Sequence, residues 1–168
     1  MRALIVYESM FGNTAEVARA VAEGLRTRAH VEMVDVASHP GPPAEDVDLV
    51  VVGGPTHAFS MSRASTRADA ARQGASADPG SGLRDWLDAL PAGRRRVGRL
   101  ATFDTRVHTM RHLPGSAARS AARAARRHGF DPAGHAESFY VTDVSGPLLD
   151  GELDRARLWG RRLGSVLV

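Results

Sequence analysis

The sequence predicts an α/β domain built on a doubly wound parallel sheet with helices on both faces. Three observations lead there. Short apolar runs alternate along the chain with stretches of helical periodicity. The first run, Ala3 to Tyr7, is apolar throughout, as expected of a strand buried on both faces. It stops at a polar, glycine-bearing turn that leads straight into a helix. With 168 residues, the chain suits one compact domain, residues 1–168, able to bury a full core.

In order, Arg2-Ala3-Leu4-Ile5-Val6-Tyr7 is the first strand. Val17, Ala18, Val21, Ala22 and Leu25 then recur at helical spacing, so the turn before them opens a helix. His30 to Val36 alternates polar and apolar residues and reads as a strand near the sheet edge. Three prolines and a glycine between His39 and Pro43 break the chain, leaving room for a single turn at Ala44 to Val47. Val47 to Gly54 is a buried strand ending in glycines.

Ser60 to Gly82 carries Arg63, Arg67 and Arg72 and reads as a short helix with a mobile connection. Leu83, Trp86, Leu87 and Leu90 share one face of the next helix. Arg94-Arg95-Arg96 leads into a strand from Val97 to Phe103, whose end opens a loop at Asp104-Thr105-Arg106. Pro114-Gly115-Ser116 starts a helix with two faces. The pairs Ala117/Ala118, Ala121/Ala122 and Ala124/Ala125 form a thin stripe suited to close packing on a sheet, and Arg119, Arg123, Arg126 and Arg127 lie opposite. Glu137 to Val141 is the last strand and Leu153 to Leu167, with Trp159, a terminal helix.

Composition excludes several functions. Without cysteine there is no disulfide framework, thiol nucleophile or cysteine metal site. Without lysine there is neither a Walker phosphate loop nor a response-regulator receiver, and no GxGxxG or GxSxG pattern is present. All 22 basic residues are arginine, yet the net charge is only +3, too modest to suggest nucleic acid. No apolar stretch approaches membrane-spanning length and no signal-peptide pattern opens the chain, so a cytoplasmic protein is expected.

The first turn carries the chemistry. A helix N-terminus presents unpartnered backbone N–H groups and a positive dipole end, which together favour an anion. Gly12 lets the backbone approach a ligand closely, and Ser9, Asn13 and Thr14 add side-chain hydrogen bonds. These residues make a phosphate cradle. His108 and His112, four apart, would share a helix face as metal ligands can, but Pro114 interrupts such a helix and solvated loop histidines are expected. The arginine helix could meet phosphates or an acidic protein, or simply be a solvated face.

Ser9-Met10-Phe11-Gly12-Asn13-Thr14 resembles the phosphate-binding loop of flavodoxins, which hold flavin mononucleotide (FMN), and is similar to the same turn in flavodoxin-like quinone reductases. Phe11 stands where the family usually has a second hydroxyl residue. The resemblance implies five strands in the order 2-1-3-4-5, with a ligand at the switch point between strands 1 and 3. It also implies three cofactor-binding loops. Ser9, Met10, Phe11, Gly12, Asn13 and Thr14 would take the phosphate, and Pro55, Thr56, His57, Ala58 and Phe59 one flavin face. Asp104, Thr105 and Arg106 would take the other face or edge. His57 and Phe59 fall where flavodoxins often stack an aromatic residue; the alternative leaves Phe59 in the core and His57 in solvent.

The function implied is that of an FMN-binding electron carrier exchanging electrons with a redox partner protein, an acidic partner suiting the arginine helix. Two alternatives stay open: an NAD(P)H-dependent FMN quinone reductase, and a flavin-free binding or regulatory module on the same fold.

Overall fold

The strands form a single parallel sheet, shown by a computed structural model that describes residues 1–75, 80–91 and 98–166. β1 (Arg2–Tyr7) lies between β2 (His30–Asp35) and β3 (Leu49–Pro55), paired from Arg2↔His30 to Tyr7↔Asp35 and from Ala3↔Leu49 to Tyr7↔Gly53. β4 (Arg99–Val107) follows β3, from Leu49↔Arg99 to Pro55↔Thr105.

The fifth place in the 2-1-3-4-5 order is filled by two short strands rather than one. β5 (Asp131–Pro132) pairs with the start of β4 and β6 (Glu137–Val141) with its end, from Phe103↔Glu137 to Val107↔Val141. Pro132 has no N–H to continue the ladder. The Ala133 N–H makes one further bond to the Leu100 carbonyl before Gly134, at φ +155°, lifts the chain off the edge.

Both faces of the sheet are covered. Ile5, Val51, Ala101 and Phe103 point towards α1 (Asn13–Leu25) and α5 (Glu152–Val166). These two helices touch backbone to backbone: a Cβ on Gly160 would sit 2.3 Å from the Val21 carbonyl oxygen. Val6, Val50, Val52 and Leu100 point the other way, against α3 (Leu83–Asp88) and α4 (Ala117–Arg127). Here most of the alanine stripe packs as expected, with Ala117, Ala118, Ala121, Ala124 and Ala125 buried, Ala122 half-buried and all four α4 arginines exposed. α2 (Ala64–Arg72) is short, and its Arg67 is buried against Gly82, where a Cβ would sit 2.3 Å from the guanidinium.

One boundary differs from expectation in a way that matters for function. The fourth strand does not end at Phe103; it runs on through Asp104, Thr105 and Arg106 to Val107. Their polarity reads as loop, but each side chain finds a partner within the fold. Arg94-Arg95-Arg96, the first residue of the expected strand (Val97), part of the 60–82 connection (76–79) and Leu167 lie outside the described residues.

Candidate functional site

A crevice of about 290 Å³ opens beyond the carboxyl ends of β1, β3 and β4, at the point where the chain winds away from β1 in opposite directions. Sheets of this kind place ligands at such points.

Its first wall is the turn into α1. Gly12, at φ +93°, is the N-cap and makes no side-chain capping bond. Ser9 Oγ accepts from the Ala15 N–H at 3.1 Å. The N–H groups of Phe11, Gly12, Asn13 and Thr14 find no acceptor among the described residues. The other helices of the site are not open in this way. At the start of α4, Ala117 N–H donates to Thr56 Oγ1 (2.9 Å), Ala118 N–H to Asp104 Oδ2 (3.0 Å) and Arg119 N–H to Ser116 Oγ (3.2 Å). At α3, Gly82 and Leu83 donate to Asp85 and Glu8. So α1 alone of the three offers a run of free amides, which suits an anionic group such as a phosphate. Met10, Phe11, Asn13 and Thr14 line the crevice; Ser9 and Gly12 shape the turn behind it.

The second wall is a strained turn. His57 and Ser60 exchange both backbone hydrogen bonds (2.8 and 3.0 Å), with Ala58 at φ 45° and Phe59 at φ 63° between them. Two positive φ values make this a type I′ geometry, which normally calls for Asn-Gly or Gly-Gly. Neighbours hold the turn in place. Gly115 lies so close that a Cβ there would be 2.6 Å from the Phe59 carbonyl oxygen. Arg84 donates to Ser60 Oγ and the Met61 carbonyl, both at 3.0 Å. Phe59 is 49% exposed, so it is not tucked into the core; together with Pro55, Thr56, His57 and Ala58 it lines the crevice. Burial without a charge partner lowers the His57 pKa and favours the neutral imidazole.

The third wall is the end of β4, and its three polar residues divide by strand alternation. Thr105 faces α1, where its Oγ1 lies 2.8 Å from Thr14 Oγ1. Asp104 and Arg106 face α4. Asp104, expected at the ligand, is instead fully buried and caps α4 through Ala118, because a carboxylate is favoured at a helix N-terminus. Arg106 is 7% exposed and reaches the crevice. Its Nη2 donates to the Met110 (2.6 Å) and Leu113 (3.2 Å) carbonyls, while its Nε has no partner. It forms no ion pair with Asp104 or any other described carboxylate.

Sequence reasoning missed an apolar rim of Val107, Met110, Val141 and Val144. Val107 and Val141 end adjacent strands at the same level, so the strand-end rule alone could have found them. Met110 and Val144 carry no such signal. His108 packs edge-on against Tyr140 at 5.5 Å and takes no part in the crevice.

Behind the walls, Glu8 is buried at the end of β1. Its carboxylate accepts from the Ser62 hydroxyl and, at 2.8 Å, from the Leu83 N–H. Arg67 donates to Ser62 Oγ (3.0 Å) and pairs with Asp85 (2.8 Å). Burial raises the Glu8 pKa, while the Ser62 and Leu83 hydrogen bonds and the Arg67 charge oppose that rise. This cluster ties the residue before the first loop to the end of the second.

Residues 4–67 match the family model for a flavodoxin domain. No curated protein matches the sequence significantly. Among solved structures, oxidised flavodoxin 1 from Bacillus cereus superposes with a TM-score of 0.68 at 16% identity, over 97% of each chain. A short-chain flavodoxin associated with a non-canonical PDU bacterial microcompartment gives 0.69 at 15% identity over 100% of both chains. A flavodoxin from the domain Archaea gives 0.66 at 16% over 99% of both. The chain is therefore flavodoxin-like, in the fold of the whole chain and in the sequence of residues 4–67.

Proposed function

We propose that the crevice binds FMN and that the protein is an electron carrier serving a redox partner protein. The observation that carries this reading is the run of four free amides at the start of α1, opening onto a largely apolar crevice. The amides of Phe11, Gly12, Asn13 and Thr14 would hold the phosphate, with no lysine required. Phe59, Met10 and the Val107–Val141 rim offer apolar surface to a flat ring, and neutral His57 adds a polar edge without charge. The bound flavin would supply the redox chemistry, which no side chain here can. The protein's part is to bind and orient it, exclude water with the apolar rim, and set the local charge through Arg106.

The test is the absorbance spectrum of the purified chain, followed by titration of apoprotein with FMN and with riboflavin. Flavin bands, or saturable FMN binding much tighter than riboflavin binding, support the cradle. A colourless chain that ignores added FMN overturns the reading in favour of a flavin-free module. Rapid NAD(P)H-dependent quinone turnover by the loaded chain alone would replace the carrier with the reductase.

A further inference from the structure

A second concavity, about 500 Å³, runs along the opposite edge of the sheet between α4 and the interrupted fifth strand. Arg119, Arg123 and Arg126 line its helix side, and Pro132 and His135 its strand side. α4 contains four arginines and no acidic residue. None of the three groove arginines forms an ion pair among the described residues, although Asp131 stands on the facing, strand side. Among the described residues their one side-chain hydrogen bond is from Arg123 Nε to the Arg119 carbonyl, at 3.4 Å.

This arrangement costs the isolated helix. Like charges three and four residues apart on a helix repel. Arg119, in the first turn, also faces the positive end of the helix dipole. The helix forms because its alanine stripe is buried and its first three amides are capped. Among the described residues no carboxylate pairs with the arginines of the outer face, so a negative ligand would relieve their repulsion.

The shape favours carboxylates on a chain over a phosphate. At 1.5 Å per residue, Arg119 to Arg126 spans roughly 10 Å, and the Arg119–Arg123 step of about 6 Å approaches the ~6.8 Å between same-side residues of an extended strand. The α4 amides that could cradle a phosphate are already used; of the rings in the wall Phe130 is buried, and the His135 imidazole alone makes no platform for successive bases.

We propose that the groove between α4 and the fifth strand docks an extended, acidic segment of a partner protein. This holds whether or not the crevice takes FMN. The probe is a fluorescein-labelled peptide of alternating glutamate and serine, titrated with the full chain by anisotropy at low and physiological salt. Arg119→Glu/Arg123→Glu/Arg126→Glu is compared with Arg26→Glu/Arg161→Glu/Arg162→Glu, which reverses as much charge on the exposed α1–α5 side. With each exposed pair worth up to about 1 kcal/mol, the groove variant should lose on the order of 100-fold in affinity and the remote variant little. Circular dichroism confirms that both variants fold. Equal loss in both variants would reduce the effect to net charge, and failure of the wild type to bind at low salt would remove the site; either overturns the proposal. So would binding of inorganic tripolyphosphate, sensitive to the same variant, without binding of the peptide.

Discussion

Thr14 and Thr105, 91 residues apart in sequence, share a buried hydrogen bond of 2.8 Å between their hydroxyl oxygens. It joins the first turn of α1 to the end of β4 beneath the crevice and fixes the α1 turn relative to the third wall. Replacing one threonine by valine keeps the shape but orphans the other hydroxyl, costing about 1–3 kcal/mol. Replacing both removes the orphan. Urea unfolding should show Thr14→Val and Thr105→Val each destabilising, and the double variant less destabilised than their sum. Simple additivity would mean that the two hydroxyls do not meet.

Asn13→Asp tests the cradle without disturbing it. The side chains are nearly isosteric, and a carboxylate in the first turn of a helix is neutral or favourable for folding. Beside a bound phosphate it is repulsive. FMN affinity should fall by roughly tenfold or more while stability stays level, with riboflavin binding unaffected. Equal loss for both ligands would place the phosphate elsewhere.

Much of this site was legible in the sequence because loops leaving strand ends in a parallel sheet have few places to go. Phe11, Asn13 and the 55–59 stretch reach the crevice for that reason. The end of β4 was not legible. Asp104, Thr105 and Arg106 look like loop residues, since single-sequence patterns assume that polar side chains seek water. Here the first turn of α4, the Thr14 hydroxyl and the carbonyls after β4 satisfy them inside the protein. Such partners lie far off in sequence or belong to irregular backbone, so no periodicity announces them. The split fifth strand had a local signal, Pro132 followed by Gly134, but β5 is only two residues long and carries no alternation of its own.

The strained 57–60 turn yields a stabilising change. Ala58 sits at φ 45°, where a Cβ costs roughly 1 kcal/mol and glycine has no such penalty. Glycine also loses more entropy on folding, so Ala58→Gly should gain a net 0.5 kcal/mol or so. Thermal unfolding reads this directly, and a lower midpoint would contradict the turn geometry. If the turn is kept strained for binding, the variant will be more stable yet take FMN less tightly.

Glu8 gives the fold a pH dependence opposite to that of salt-bridged carboxylates. Its folded pKa is raised above the ordinary 4.5 by burial. Between the two values the folded state holds a proton that the unfolded chain has released, so stability falls as pH rises through that window. Once Glu8 is ionised in both states the loss levels off. Glu8→Gln carries no such proton. The stability of the wild type relative to Glu8→Gln should therefore be greatest near the lower edge of the window and decline towards neutral pH. A relative stability that is flat, or that rises with pH, would show Glu8 to be an ordinary stabilised carboxylate.

Arg106 should set the redox potential of whatever the crevice holds. Its guanidinium is buried, lines the crevice and has no ion-pair partner among the described residues, Asp104 being committed to α4. The Met110 and Leu113 carbonyls supply only dipoles, so the Arg106 charge stays unpaired at the wall, opposed only in part by the buried Asp104 carboxylate two residues back. Such a charge favours negative charge gained on reduction. At an effective dielectric near 20, a unit charge about 6 Å away is worth on the order of 2–3 kcal/mol before screening. For one electron that is about 100 mV. In a potentiometric titration of the FMN-loaded chain, Arg106→Gln should lower the potential of the second electron by a sizeable part of that amount. Arg106→Lys, which keeps the charge while changing the hydrogen bonds, should retain most of the wild-type value. If both variants fall together, the carbonyl contacts and not the charge set the potential; if neither moves with FMN still bound, Arg106 lies outside the reach of the ring.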